Sequence, residues 1–259
     1  MIFYKYHGTA NDFIIIDNRQ LHFKNDTNLI RQICDRRVGI GADGLILLED
    51  SEQADFKMVY YNSDGHLSSM CGNGGRCIAS FAYQHKIADQ KTTFEAPDGL
   101  HEAFVHSVDY VDLSMGNTQQ PDQLDEQTFF VDTGSPHVIR MVDHVQDVDV
   151  QNIGSTIRYD PQFESIGGTN VNFVQIDNNE IKMRTYERGV EAETFSCGTG
   201  VTAAGITAHF SKKILSDHIK VNTKGGQLSI SFSADTIYSN IKLSGPVAFV
   251  FKGEFNELT

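Results

Sequence analysis

Nowhere in the 259 residues does an apolar run persist long enough to span a bilayer, and the opening stretch, MIFYKYHGTANDFIIID, has no basic head leading into one. The chain therefore reads as soluble and cytoplasmic, with no membrane partner. Clustered Lys/Arg tracts are also missing. With 21 basic residues against 34 acidic ones and a formal charge of −13, there is no phosphate-tracking surface, so nucleic acid is excluded as a partner. Cysteine is scarce: Cys34, Cys71, Cys77 and Cys197 are too few and too unevenly spaced for the disulfide frame of a secreted domain, and reduced thiols are expected. No CxxC pair occurs, which argues against a thiol oxidoreductase with a resolving cysteine. The ten histidines are scattered without the spacing of metal ligands, so no metal is assigned.

What is present is a repeat. A shift of 126 residues carries Cys71 onto Cys197 and CGNG onto CGTG, and in the same register sets Phe3 on Phe129, Gly8 on Gly134, Asp17 on Asp143, Ile40 on Ile166, Gly41 on Gly167 and Ala82 on Ala208. A one-residue slip before the cysteine adds Lys57, Met58 and Tyr61 on Lys182, Met183 and Tyr186. Scattered identities arise by chance, but a shared CGxG preceded by a shared KMxxY points to an internal duplication. In this alignment His137 falls opposite Asn11 and Glu187 opposite Asn62.

Most of the chain reads as short strands: 13–17, 45–48, 56–61, 110–113, 129–131, 138–142, 171–176, 181–186, 227–232, 237–243 and 247–251, punctuated by Asp64-Gly65, Asp98-Gly99, Asn178-Asn179 and Gly225-Gly226. Helices are expected over 74–85 and 200–210, each entered through a CGxG, and over 27–36 with Asp26 or Thr27 as cap. The 200–210 segment is apolar nearly all round, as a helix wrapped by strands must be. The expected fold is α+β: two pseudo-symmetric halves, each a β-barrel-like sheet around a central helix, with an active-site cleft between them. The halves are drawn as residues 1–117 plus 247–259, carrying Cys71, and residues 118–246, carrying Cys197.

A cysteine at the mouth of a helix meets unpaired amides and the positive end of the dipole, which favour its thiolate. Two such thiols facing one point suit inversion at a carbon acid: one removes the proton, the other returns one to the opposite face. The nascent carbanion needs donors on the α-carboxylate, which glycine amides at helix starts supply. A lone CGxG is more often just a buried cysteine; two in register reverse that weighting. Cys34 and Cys77 have no repeat partner and read as core.

HGTANDF at 7–13, GIGADG at 39–44, YNSDG at 61–65, MCGNGGRC at 70–77 and YERGVEAETFSCGTG at 186–200 resemble the diaminopimelate epimerase family, and the resemblance runs on to GPVAFVFKGEF at 245–255. It implies a cofactor-independent enzyme that needs no pyridoxal phosphate, interconverts LL- and meso-diaminopimelate in lysine and peptidoglycan-precursor synthesis, and is usually a homodimer. By the family pattern Cys71 and Cys197 are the acid/base pair. Asn11, Asn62, Gly72, Asn73, Asn170, Glu187, Arg188, Gly198 and Thr199 are implied in binding the substrate, and His137 and Glu187 in tuning the thiols. Gly44, where many members have Gln, and Ser135, where many have Asn, depart from the pattern. Without the resemblance, Asn11 and Asn62 read as turn formers, Glu187-Arg188 as a surface pair and His137 as a loop histidine.

The alternatives are a related cofactor-independent racemase of another amino acid, a cysteine hydrolase pairing Cys197 with His137, and a binding module. Proline and hydroxyproline racemases typically carry CGHG where Asn73 stands here; the hydrolase leaves Cys71 idle; solvent-deuterium exchange into the ligand separates an enzyme from a binder.

Overall fold

A computed structural model describes residues 1–68 and 70–255. The chain divides into two units, Met1–Leu113 with the segment from Gly245 onward, and Ser114–Ser244. The divisions fall a few residues from the expected ones after 117 and 246. The first unit contains β1 (Ile2–Gly8), β2 (Asn11–Asp17), α1 (Thr27–Cys34), β3 (Gly44–Glu49), β4 (Phe56–Asn62), α2 (Gly72–Gln84), β5 (Lys91–Ala96), β6 (Gly99–Ser107) and β7 (Tyr110–Ser114). The second contains β8 (Asp122–Gln123), β9 (Thr128–Asp132), β10 (Pro136–Met141), α3 (Val150–Arg158), β11 (Asn170–Asp177), β12 (Glu180–Glu187), β13 (Ala192–Thr194), α4 (Gly198–Phe210), β14 (His218–Thr223), β15 (Gly226–Ala234) and β16 (Tyr238–Pro246). A last strand, β17 (Ala248–Glu254), returns to the first unit and pairs antiparallel with β1.

The duplication is visible in the pairing. In the first unit β1–β2 is antiparallel, β2–β3 parallel, β3–β4 antiparallel, β4–β5 parallel, and β5–β6 and β6–β7 antiparallel. The second unit repeats that series with β9–β10, β10–β11, β11–β12, β12–β14, β14–β15 and β15–β16. Even the outermost strands correspond, β17 lying on β1 as β8 lies on β9.

The registers test the alignment residue by residue. Leu48 faces Met58 and Val174 faces Met183, which upholds the 126-residue shift on β3 and the slipped shift on β4. On β2 the shift changes. Phe13 lies beside Gly44 and His137 beside Asn170, so His137 matches Phe13 and Ser135 matches Asn11. The expected pairing of His137 with Asn11 is corrected: the two loops entering these strands differ in length, and identities further along the chain cannot reveal that.

Strands β2, β3, β4, β10 and β11 are buried on both faces because in each unit they carry a helix on either side. Ile14, Ile16, Leu45, Leu47, Val59 and Tyr61 pack with Ile30 and Ile33 of α1, whose N-terminus is capped by Asp26 accepting from the Leu29 N–H at 2.8 Å. Phe13, Ile46 and Met58 point the other way, toward Gly74 of α2. In the second unit Val171, Phe173 and Tyr186 pack with Val150 and Ile157 of α3, while Ile139, Val174 and Met183 join Val201 and Ile206 of α4. As expected, α4 is buried all round: every residue from Gly200 to Ala208 is enclosed. Each such Val or Ile stabilises the fold by about 1.5–3 kcal/mol. Cys34 and Cys77 are buried core residues, and burial pushes the Cys34 thiol up to about 12.

Strands β1, β5, β6, β8, β13 and β14 and helix α3 were not expected. Lys5 hides β1, because a buried lysine breaks the alternation of apolar residues; it is held by Asp12 at 2.7 Å. Helix α3 reads as a weak helix, with Val, Ile, Thr and Gly in nine residues, and forms because it packs on Phe173 and Tyr186.

Candidate active site

In the first unit Cys71 is the N-cap of α2, half-buried, with its thiol not used as a cap. Gly72 and Asn73 begin the helix and are buried. The thiol lies 3.6 Å from Asn11 Oδ1, and Asn73 Nδ2 donates to the same oxygen at 3.2 Å. Asn11 is oriented from behind, since its Nδ2 donates to Asp43 Oδ2 at 2.8 Å and only the carbonyl oxygen is left to face the cysteine. Asp43 and Asp12 share the Arg36 guanidinium. Burial alone raises the Asp12 pKa, but Arg36 and Lys5 hold its carboxyl well below the usual carboxylate range.

Arg76, five residues beyond Cys71, is fully buried. Its Nη2 donates to Asn73 Oδ1 at 2.8 Å and its Nη1 to the Gly72 carbonyl at 3.2 Å, and no carboxylate among the described residues pairs with it. Burial lowers its pKa, while the neighbouring thiols Cys77 and Cys71 oppose that shift. Asn62 ends β4 across from Gly44, half-buried. Gly44 has a steric reason: a Cβ there would meet the Tyr60 ring at 2.5 Å and the Tyr61 carbonyl at 2.6 Å, so no longer side chain fits.

In the second unit Cys197 is the N-cap of α4, followed by Gly198 and Thr199. Thr199 Oγ1 lies 3.5 Å from the Cys197 sulfur and 3.0 Å from His137 Nε2. The Thr133 hydroxyl donates to the Thr199 carbonyl at 3.0 Å and that of Thr202 to the Gly198 carbonyl at 3.2 Å, fixing the turn. His137 is completely buried; burial, aided by the Arg188 charge, lowers its pKa to about 3, so the imidazole is neutral at ordinary pH. Asn172 Nδ2 lies 3.0 Å from His137 Nδ1, and Thr185 donates to Asn172 Oδ1 at 2.9 Å. Gly200 leaves the room for this, since a Cβ there would stand 2.5 Å from Asn172 Oδ1.

Asn170, Arg188 and Ser135 form a second group. Asn170 Nδ2 donates to Ser135 Oγ at 2.9 Å and to the Pro136 carbonyl at 3.0 Å, and its Oδ1 accepts from the Arg188 N–H at 2.9 Å. The Arg188 guanidinium reaches Ser135 Oγ at 3.4 Å and the Ile166 and Gly168 carbonyls. Glu187 sits at the end of β12, half-buried.

The structure thus brings together Asn11, Cys71, Gly72 and Asn73 in one unit, with Asn62 on the strand beside Gly44. In the other it gathers His137, Cys197, Gly198 and Thr199, and separately Asn170 with Arg188. Sequence reasoning missed Asp43, Arg76, Asn172 and Thr185. The signal for Asn172 was present: in NVNFV it shares a face with Asn170 inside an otherwise apolar strand, and a polar residue there needs a partner.

A family model described as diaminopimelate epimerase matches residues 3–120 and 129–250. The chain belongs to the diaminopimelate epimerase family. It is 50% identical over 255 residues to the diaminopimelate epimerase of Flavobacterium psychrophilum, covering 97% of this chain and 99% of that one. With the diaminopimelate epimerase of Chlorobaculum tepidum the identity is 43% over 256 residues, with 95% and 98% covered. Among solved structures, a Bacillus anthracis phenazine biosynthesis protein of the PhzF family matches with a TM-score of 0.73 at 14% identity, over 99% of each chain. A probable proline racemase from Agrobacterium radiobacter K84 matches with a TM-score of 0.72 at 15% identity, over 99% of this chain and 93% of that one. At such identities these two structures speak to the fold the family shares with them, an α+β duplication.

Proposed function

We propose that this member of the diaminopimelate epimerase family interconverts LL- and meso-diaminopimelate by two-base proton transfer at one Cα, with Cys71 and Cys197 as the bases and no cofactor. The observation that carries this reading is the repetition of one device: in each half a cysteine caps a buried helix, its thiol unused as a cap and faced by a polar side chain two residues on or across the turn. One thiolate takes the proton from Cα, and the other thiol delivers one to the opposite face. The backbone amides of Gly72, Asn73, Gly198 and Thr199 suit an α-carboxylate on which negative charge grows.

Asn11, Asn62, Glu187 and Arg188 are the proposed contacts to the substrate's charged ends. Asn170, both of whose N–H groups are already donated, acts by fixing Arg188 and Ser135. Tyr60, packed over Gly44, brings its hydroxyl to the position where the family pattern often has Gln. His137 and Glu187 tune the thiols. Four free cysteines fit a reducing cytoplasm, and the exposed run Phe249, Val250 and Phe251 fits a homodimer contact, which sedimentation would test. The reaction belongs to the synthesis of lysine and of peptidoglycan precursors.

The test is proton NMR of LL-diaminopimelate in D₂O with no added cofactor, with proline and histidine as controls. Loss of the Cα signal together with appearance of the meso form, for diaminopimelate alone, is expected. Exchange in proline instead moves the reading to a racemase of another amino acid, and exchange nowhere removes the activity.

A further inference from the structure

We propose that Asn172, itself held by Thr185, is a positioning residue that locks His137 as its neutral Nε2–H tautomer and thereby directs the Thr199 hydroxyl proton at Cys197. The inference rests on the reading of Cys197 as a base.

The directions of the hydrogen bonds follow one another. Asn172 Nδ2 lies 3.3 Å from the Val138 carbonyl, which can only accept, and Thr185 donates to Asn172 Oδ1 at 2.9 Å. The amide therefore cannot turn over without setting two carbonyl oxygens against each other. Its N–H₂ group thus faces His137 Nδ1 at 3.0 Å, and that nitrogen must be the acceptor. In a neutral imidazole the other nitrogen then carries the proton, so Nε2–H donates to Thr199 Oγ1 at 3.0 Å. With one lone pair taken, the Thr199 hydroxyl has its own proton for the sulfur 3.5 Å away. A donor aimed at sulfur favours the thiolate over the thiol.

The residues behind Thr199 are buried: His137 and Asn172 are wholly enclosed and Thr185 is 3% exposed. Among the described residues, the first unit has no such series at the matching positions. At the matching register positions stand Phe13, Ile46 and Tyr60; Phe13 and Ile46 pack against Gly74 together with Met58, and Tyr60 packs against Gly44. The polar series stands in one half of a duplicated frame.

The experiment is nitrogen-15 NMR of histidine-labelled protein without substrate, beside steady-state kinetics of two substitution sets. In the unaltered protein His137 is expected to show a protonated Nε2 and a bare Nδ1; a proton on Nδ1 overturns the proposal whether or not the enzyme is an epimerase. Asn172→Leu, which copies the apolar character of Ile46, is expected to admit the Nδ1–H form and lower kcat about tenfold with KM little changed, the effect of one lost oriented hydrogen bond. Thr185→Val is expected to move kcat in the same direction and Thr185→Ser to restore it. Unchanged kcat and tautomer in Asn172→Leu and Thr185→Val, or a rise in KM alone, contradict the proposal. If Asn172→Leu does not fold, the tautomer of the unaltered protein and the Thr185 pair decide. If no epimerisation is found at all, the tautomer measurement still stands alone.

Discussion

The inner faces of the two halves share a backbone and differ in chemistry. Behind Gly74, third in the first CGNG helix, lie Phe13, Ile46 and Met58; behind Gly200, its counterpart, lies Asn172 with His137 and Thr185 attached. A buried polar group left unpaired costs about 1–3 kcal/mol, so a series of three is tolerable only because each member is hydrogen-bonded to the next. The first half reaches its cysteine by another route. Asn11 comes from the start of β2, aimed by Asp43, and Asn73 is aimed by the buried Arg76. Duplication reproduces where a thiol stands, and the residues behind it decide how that thiol is held.

The largest expected effect removes the feature both halves share. Cys71→Ala and Cys197→Ala should each lower epimerisation by about 10²–10⁴-fold or more, since each is proposed to move a proton in both directions of the reaction. A variant of either that keeps near-normal turnover makes the halves unequal in a way the two-base scheme does not allow.

Next come the paired glycines. Gly200→Ala places a Cβ 2.5 Å from Asn172 Oδ1, and overpacking there should cost about 1–3 kcal/mol in denaturant unfolding. Gly74→Ala meets the side-chain ends of Ile46 and Met58 at 3.1 and 3.2 Å and the Phe13 ring at an ordinary 3.5 Å, and gains helix propensity of up to about 1 kcal/mol, so it should be close to neutral. Equal costs would mean that the polar series does not constrain the helix start.

The pH dependence of stability separates His137 from Phe13. Burial, with Arg188, holds His137 at about 3 in the folded protein, whereas an unfolded histidine titrates near 6.5. As pH falls from about 6.5 to 3 the unfolded chain takes up a proton that the folded site refuses, so stability is present above that window and lost within it. His137→Gln should flatten the slope of unfolding free energy against pH there by up to about one proton. An unaltered slope would place the imidazole's titration elsewhere.

The smallest effect concerns Ser135, the register partner of Asn11. Ser135→Ala removes the acceptor of Asn170 Nδ2 and Arg188 Nη2, and KM should rise a few-fold, on the order of 1 kcal/mol, with kcat retained. A change confined to kcat would detach Arg188 from substrate binding.

Much of this was legible in the sequence because periodicity and repetition are local signals. Strands rich in Val and Ile, both CGxG helices and the duplication itself could be read from spacing alone. The inner polar series could not, because Thr185, Asn172 and His137 meet only when β10, β11 and β12 lie side by side. Arg76 escaped notice for a related reason: in sequence it is one arginine after two glycines, and only burial shows that its guanidinium holds the turn. The match of His137 to Phe13 required strand register, which a shift inferred from distant identities cannot supply.

The measurement that bears most directly on two unequal thiols acting on one carbon is early-time isotope tracing. LL-diaminopimelate is incubated with the enzyme in D₂O and the reaction stopped at low conversion. Two-base transfer gives meso product carrying solvent deuterium at the inverted carbon while recovered substrate stays protiated, because the proton returned comes from a different thiol than the one that removed it. Product that retains the substrate's own hydrogen would mean that a single base carries the proton across, and the paired-cysteine mechanism would fall.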